Sequence, residues 1–404
     1  MEKDLWRVAA IAVAIFLIFP SISVSYENKS KIEEILGMLN EEMLRNYTQA
    51  IVSFGARVTG SEACYNCAEY IYEKFSSFGL NSTICSWIAS SGFKKYNGQN
   101  VEAILPGDEK IIIFNAHFDS VENTVGADDN AAGVASLIAI AEVMSKFKFN
   151  HTIKFVAFSG EEQGLLGSNE YARNAYENDD FIIVEMNADM IAHANGENGS
   201  KFRIYSTEDA DWIVSRIKEI NKDFLDFQLI TGNISRKFGG SDYASFARYG
   251  FEAIAFFEYE WNPYMHQPED NLSNINFTYL LKTTRLIAGA IASIADAEIE
   301  KPYFSILLPA RGKIYFNEKE VYELKNEKIF AFGKIYLSLF PKTEVEKFEV
   351  YLDNKTIHVF YSPLYELELS KFSFGKHELK IIAYNKYKFS TDWIEFYWVN
   401  FGMK

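Results

Sequence analysis

Between Ile153 and Phe158 the sequence is an apolar run rich in β-branched and aromatic residues, with one lysine, and it stops at Ser159-Gly160, where two adjacent glutamates, Glu161 and Glu162, follow. Two like charges at the end of an apolar strand repel each other unless something positive sits beside them. Three further apolar runs end in the same kind of chemistry. Ile111 to Ala116 leads into His117-Phe118-Asp119, Phe181 to Met186 into Asn187-Ala188-Asp189, and Ala253 to Phe257 is followed by Tyr264-Met265-His266. A fifth group, Asp129, stands within Gly126-Ala127-Asp128-Asp129-Asn130 at the start of a long apolar helix. The chain has six histidines, and two of them fall in this set. Strand ends of one parallel sheet lie side by side, so these groups converge on one cleft. Imidazole with carboxylate is the donor set of zinc or a similar borderline divalent ion. A hydrolytic site with two such ions needs a bridging ligand, terminal ligands on each ion, and a carboxylate left free to move protons. The count closes here with one glutamate to spare.

The elements that must position these groups alternate. Helical spacing predicts a helix over 31–53 and a second from Ala63 to Phe78, closed by Gly79. Strands are expected at Thr83 to Ile88, Asn100 to Leu105, Ile111 to Ala116, Ile153 to Phe158, Phe181 to Met186 and Ala253 to Phe257. Helices are expected at 131–144, 168–176, 208–221 and 277–297. Such alternation specifies an α/β unit, a mostly parallel sheet with helices on both faces. Past Glu300 the texture becomes short alternating strands broken by Asp-Asn, Ser-Pro and Phe-Gly turns, which predicts an all-β sandwich. The expected organisation is a leader over 1–25, a catalytic domain over 27–299 and an accessory sandwich over 302–404.

The net charge of −15, with no basic stripe to neutralise phosphates, argues against nucleic acid as a partner. Lys3 and Arg7 precede an aliphatic run, Val8 to Phe19, and then Ser23-Val24-Ser25. The run is short for a membrane span and suits a secretory signal with a small-x-small cleavage site; uncleaved, it would serve as a membrane anchor. Either way the bulk of the chain is expected outside the cytoplasm, secreted or anchored to the outer face of the membrane. Glycosylation sequons recur at Asn28, Asn46, Asn81, Asn150, Asn198, Asn233, Asn271, Asn276 and Asn354. Three cysteines, Cys64, Cys67 and Cys85, predict one disulfide and one free thiol, with the pairing open. His151, His193, His358 and His377 read as surface or turn residues, Asp128 as a helix-start acid.

His117-x-Asp119, the Gly126 to Gly133 segment, Ser159-Gly160-Glu161-Glu162, Asn187-Ala188-Asp189-Met190 and Tyr264-x-His266 together resemble the motifs of the co-catalytic di-zinc peptidases of family M28. That family includes leucyl-type aminopeptidases and glutamate carboxypeptidases. The resemblance spans roughly residues 30–298 and takes in Arg57-Val58-Thr59-Gly60-Ser61 and Asn100 to Gly107. It implies a zinc-dependent exopeptidase-like fold with two Zn²⁺ ions. His117 and Asp189 would hold one ion, Glu162 and His266 the other, and Asp129, followed by a cis peptide to Asn130, would bridge them. Glu161 would be the general base, and Asp119 would accept the other ring N–H of His117. Asp242, Tyr243 and Tyr264 would shape the substrate pocket; many relatives have His where this chain has Tyr243. The implied function is an exported aminopeptidase that hydrolyses N-terminal residues from peptides through a metal-bound hydroxide. Glutaminyl cyclase chemistry with one zinc, carboxypeptidase activity and a receptor-like role without catalysis are the alternatives. Residues 303–399 resemble the immunoglobulin-like modules appended to secreted enzymes. Side-chain preference and oligomeric state stay open.

Overall fold

Apolar spacing from Ile32 to Leu44 builds two helices where one was expected over 31–53. In the computed structural model, α1 covers residues 28–38 and α2 covers Glu41–Val52. Asn40 causes the break: its backbone is extended (φ −144°, ψ 162°) and its side chain accepts the Met43 N–H at 3.0 Å. That is an N-cap, and it turns the chain before the second helix starts. The structure describes residues 28–235, 239–324, 328–361, 364–386 and 388–402, so the leader read at 1–25 lies outside it. The chain divides into two units, Met1–Ala297 and Glu298–Lys404.

In the first unit, α3 (Glu62–Ser77) opens on Ser61, whose hydroxyl accepts the Cys64 N–H. The three cysteines are free thiols, which corrects the expected disulfide. Cys64 and Cys67 are buried three residues apart on α3. That spacing holds Cβ atoms about 5–6 Å apart, beyond the roughly 3.5–4.5 Å a disulfide spans. Cys85 lies on the first strand.

Next come β1 (Asn81–Ser91), β2 (Lys94–Leu105), β3 (Asp108–His117), α4 (Ala132–Met144), β4 (His151–Phe158), α5 (Leu166–Glu177) and β5 (Ile182–Ala188). They are followed by β6 (Lys201–Ser206), α6 (Asp211–Phe224), β7 (Gln228–Asn233), α7 (Tyr243–Arg248), β8 (Ala253–Glu258) and α8 (Phe277–Ala295). One sheet takes all eight strands in the order β1-β2-β4-β3-β5-β8-β6-β7. Its centre, β4-β3-β5-β8, is parallel, in keeping with its mainly apolar runs. The β1–β2 and β2–β4 pairs are antiparallel on one side, and β8–β6 is antiparallel on the other. Every residue of β5 and of β8 is buried, and α4 is buried almost all round.

Two of the histidines read as surface or turn residues are buried. His151 is 5 % exposed, with Nε2 2.8 Å from the Ala297 carbonyl and Nδ1 3.0 Å from Asp108. His193 is also buried, its backbone N–H donating to Glu258. No helix among the described residues is long and apolar enough to cross a membrane.

Among its described residues the second unit has ten strands, β9 (Phe304–Leu308), β10 (Lys313–Phe316), β11 (Lys319–Glu323), β12 (Ile329–Phe332), β13 (Ile335–Pro341), β14 (Lys347–Leu352), β15 (Lys355–Phe360), β16 (Glu366–Leu369), β17 (Ser373–Tyr384) and β18 (Phe389–Asn400). They form a seven-stranded sheet, β11-β10-β12-β18-β17-β14-β15, and a three-stranded one, β16-β13-β9. Leu337, Leu339 and Ile306 of the small sheet pack with Phe348, Ile381 and Trp398 of the large one. Burying both inner faces in one core makes this a β-sandwich.

Candidate metal centre

Four strands of the parallel centre deliver the ligand candidates at their carboxyl ends. His117 is the last residue of β3, Asp189 follows β5, and Glu161 and Glu162 lie in the turn after β4. His266 sits in the loop after β8, and Asp129 in a tight turn before α4. The structure brings five of these residues to one place. His117 Nε2 is 3.3 Å from Asp129 Oδ1 and 3.3 Å from Asp189 Oδ1. His266 Nε2 is 3.1 Å from Asp129 Oδ2 and 3.2 Å from Glu162 Oε2. Two groups of donors result, His117–Asp129–Asp189 and Asp129–Glu162–His266, each with its ligand atoms within 4.8 Å of one another. Asp129 belongs to both.

The turn that presents Asp129 depends on local backbone. Gly126 takes φ +51°, and a Cβ there would collide with the Asp129 carbonyl oxygen. The Asp129–Asn130 peptide is cis. Asn130 Nδ2 donates to the Ala188 carbonyl at 2.9 Å, tying this turn to the end of β5.

The electrostatics call for a cation. Burial opposes ionisation of Asp129, yet bonds from His117 and His266 hold its carboxyl well below the usual range. The Asp129 bond, against partial desolvation, pushes the His266 imidazole up to about 9. Burial and the neighbouring Asp129 charge push Glu162 up to about 8. Burial likewise lifts Glu161 well above the carboxylate range; His117 opposes the rise, and Asp189 and Asp242 reinforce it. Glu162 Oε1 is buried without a hydrogen-bond partner. Two imidazole nitrogens aimed at buried carboxylates, with a carboxylate oxygen left over, fit divalent zinc, which would replace the protons these groups otherwise need.

The remaining predicted residues have these positions. The Asp119 carboxylate accepts from Thr59 Oγ1 at 2.9 Å and from the Glu161 and Glu162 N–H groups at 3.3 Å each. His117 Nδ1 lies 3.2 Å from the Asp119 carbonyl and 3.6 Å from its carboxylate, so the nearer acceptor is the main chain. Asp242 is fully buried at the start of α7; burial, with Asp119 and Asp189 nearby, pushes it up to about 7 against His117. The Tyr243 hydroxyl accepts the Gly240 N–H. Tyr264 is half-buried, its N–H on Asn262 Oδ1 at 2.9 Å. Asp128 is no ligand: its carboxylate accepts from the Ala192 N–H and from Asn262 Nδ2, both at 3.0 Å. Sequence reasoning missed Asp270 and Asn262 altogether and gave Arg57 no role, because their partners are main-chain groups or distant in sequence.

The sequence signature of peptidase family M28 matches residues 100–291. A probable leucine aminopeptidase of Arthroderma otae is 23% identical over 290 residues, 68% of this chain and 77% of that protein. Aminopeptidase Y of Saccharomyces cerevisiae is 30% identical over 291 residues, 68% of this chain and 51% of that protein. Among solved structures, an aminopeptidase from Aneurinibacillus sp. strain AM-1 superposes with a TM-score of 0.59 at 19% identity, over 66% of this chain and 97% of that one. A zinc aminopeptidase from Bacillus subtilis gives 0.56 at 16%, over 64% and 96%. A Bacteroides thetaiotaomicron glutaminyl cyclase bound to N-acetylhistamine gives 0.56 at 20%, over 63% and 98%. The matched segment runs from β2 into α8 and contains all five converging residues, so this part of the chain is similar to peptidase family M28.

Proposed function

We propose that this protein is a zinc-dependent aminopeptidase that removes N-terminal residues from peptides at a site for two metal ions. The observation that carries the reading is the sharing of Asp129: its two oxygens face two different imidazoles, each with its own second carboxylate. His117 and Asp189 would hold one ion, Glu162 and His266 the other, and Asp129 both. Bound zinc supplies Lewis acidity, polarising the scissile carbonyl and acidifying water.

The chain supplies the proton handling. Glu161 takes a proton from the attacking water and returns it to the leaving amine, so its carboxyl must cycle between both states. Its burial, which favours the protonated form, suits the second half of that cycle. The Asp119 carboxylate holds the Glu161 and Glu162 amides, so base and ligand are aimed by one residue. Asp242, Tyr243 and Tyr264 are proposed to line the substrate side. Export of the enzyme is proposed from Lys3, Arg7 and the Val8 to Phe19 run, and sequons at exposed Asn81, Asn233 and Asn354 are in keeping with it. Residues 302–404 are proposed as an accessory domain.

The test pairs zinc analysis with a fluorogenic amino-acyl panel. Glu161→Ala should keep wild-type zinc content while kcat falls about 10²–10⁴-fold; near-normal turnover would remove Glu161 from this role. The glutaminyl cyclase reading, favoured by the fold neighbour of that activity, requires one zinc per chain and pyroglutamate from Gln-initiated peptides without release of Leu from Leu-initiated ones.

A further inference from the structure

Arg57 is among the largest fully buried side chains of the protein. Its Nε donates to the Phe118 carbonyl at 2.6 Å. Nη1 donates to the Val125 carbonyl at 2.5 Å and to that of Gly55 at 3.2 Å, and Nη2 to that of Gly126 at 3.2 Å. Each of these partners is a backbone carbonyl. A buried guanidinium spent on peptide oxygens is expensive unless holding them matters.

Asp270 does the converse. It is fully buried, its Oδ1 accepts the Asp128 N–H at 2.8 Å, its Oδ2 accepts the Asp129 N–H at 3.1 Å, and its carbonyl accepts the Ala127 N–H at 3.2 Å. The segment 125–129 is therefore gripped at both poles of its peptide dipoles, carbonyls on a cation and amides on an anion. Charge-assisted bonds of this kind are shorter and about twice as strong as neutral ones. The same two side chains tie in the other ligand segments. Arg57 holds the carbonyl next to His117, and its own N–H reaches Ser120 Oγ at 3.0 Å. Asp270 lies four residues past His266.

We infer that Arg57 and Asp270 are a pair of positioning residues that fix the 125–129 turn, so that Asp129 presents one carboxylate oxygen to each metal ion. The inference rests on the reading that Asp129 is shared between two ions. It predicts that weakening either side chain loosens both ions together, because the ligand they hold in place serves both.

The experiment uses the full chain, wild type and the variants Asp270→Asn and Arg57→Lys. Zinc affinity is measured by competition with a chromophoric chelator, zinc content by elemental analysis, and unfolding temperature on metal-free protein. Each variant should bind zinc about 10–100-fold more weakly, with both ions affected in parallel, while the metal-free unfolding temperature moves by no more than about 5 °C. Asp270→Asn is nearly isosteric and carries the test if Arg57→Lys does not fold. Unchanged zinc affinity in folded Asp270→Asn, or loss of one ion alone, overturns the inference. A fall in metal-free unfolding temperature with affinity intact also overturns it, since that is what a purely structural role gives. Wild-type protein that binds fewer than two zinc ions would instead sink the two-metal reading.

Discussion

Oδ2 of Asp129 lies 3.1 Å from Nε2 of His266, while Oδ1 of the same carboxylate turns to His117 at 3.3 Å. One side chain thus serves two imidazoles brought from β3 and from the loop after β8. Asp129→Asn would put an N–H donor where one of these oxygens now stands and would remove the negative charge. Zinc affinity at both sites should fall by more than the roughly 10–100-fold typical of groups that merely support a ligand. Elemental analysis after dialysis, read beside kcat/KM, checks this; retention of two zinc ions would show that Asp129 is not shared.

Gly126 should tolerate nothing larger. Its φ of +51° is open to glycine, and a methyl there would run into the Asp129 carbonyl. Gly126→Ala is expected to cost about 1–3 kcal/mol of stability from backbone strain and to weaken zinc binding, because relief of the clash moves the turn that carries Asp129. Denaturant unfolding and chelator competition would separate the two effects.

The ligand set was legible because the buried parallel strands are mainly apolar, so a histidine or acid at the end of such a strand stands out. His117, Glu161, Glu162 and Asp189 all follow strands of this kind. The clamp was not legible, since Arg57 and Asp270 bind peptide groups, which carry no residue identity. β7 escaped for a different reason: none of its residues is buried, so it has no core-facing side. In the second unit β11 is exposed throughout, and the parallel β10–β12 and β12–β18 pairs join strands distant in sequence. The burial of His151 rests on contacts to Asp108 and Ala297 that only the fold assembles.

The break between α1 and α2 makes a local test of capping. Asn40 accepts the Met43 N–H and starts α2. Asn40→Ala should destabilise the first unit by about 1 kcal/mol without changing zinc content. Thermal unfolding of zinc-loaded and metal-free protein should show the same decrement in both.

Glu185 gives stability a pH dependence that can be signed in advance. It is fully buried on β5, with Asn115 Nδ2 donating to one carboxylate oxygen while the other has no hydrogen-bond partner. Burial raises its pKa well above the carboxylate range, the Asn115 bond opposes the rise, and the nearby Asp242 adds to it. The folded protein therefore favours the protonated acid. Below the unfolded-state pKa both states hold the proton and the contribution is fully present. As pH rises from there toward the folded-state pKa, the unfolded chain gives up the proton and the folded one does not. Stability then falls by up to about 1.4 kcal/mol per pH unit for this group. Glu185→Gln has no proton to lose, so its unfolding temperature relative to wild type should climb steadily between about pH 5 and pH 8, at matched zinc content. A gap that stays constant across that range would mean Glu185 is ionised in the fold.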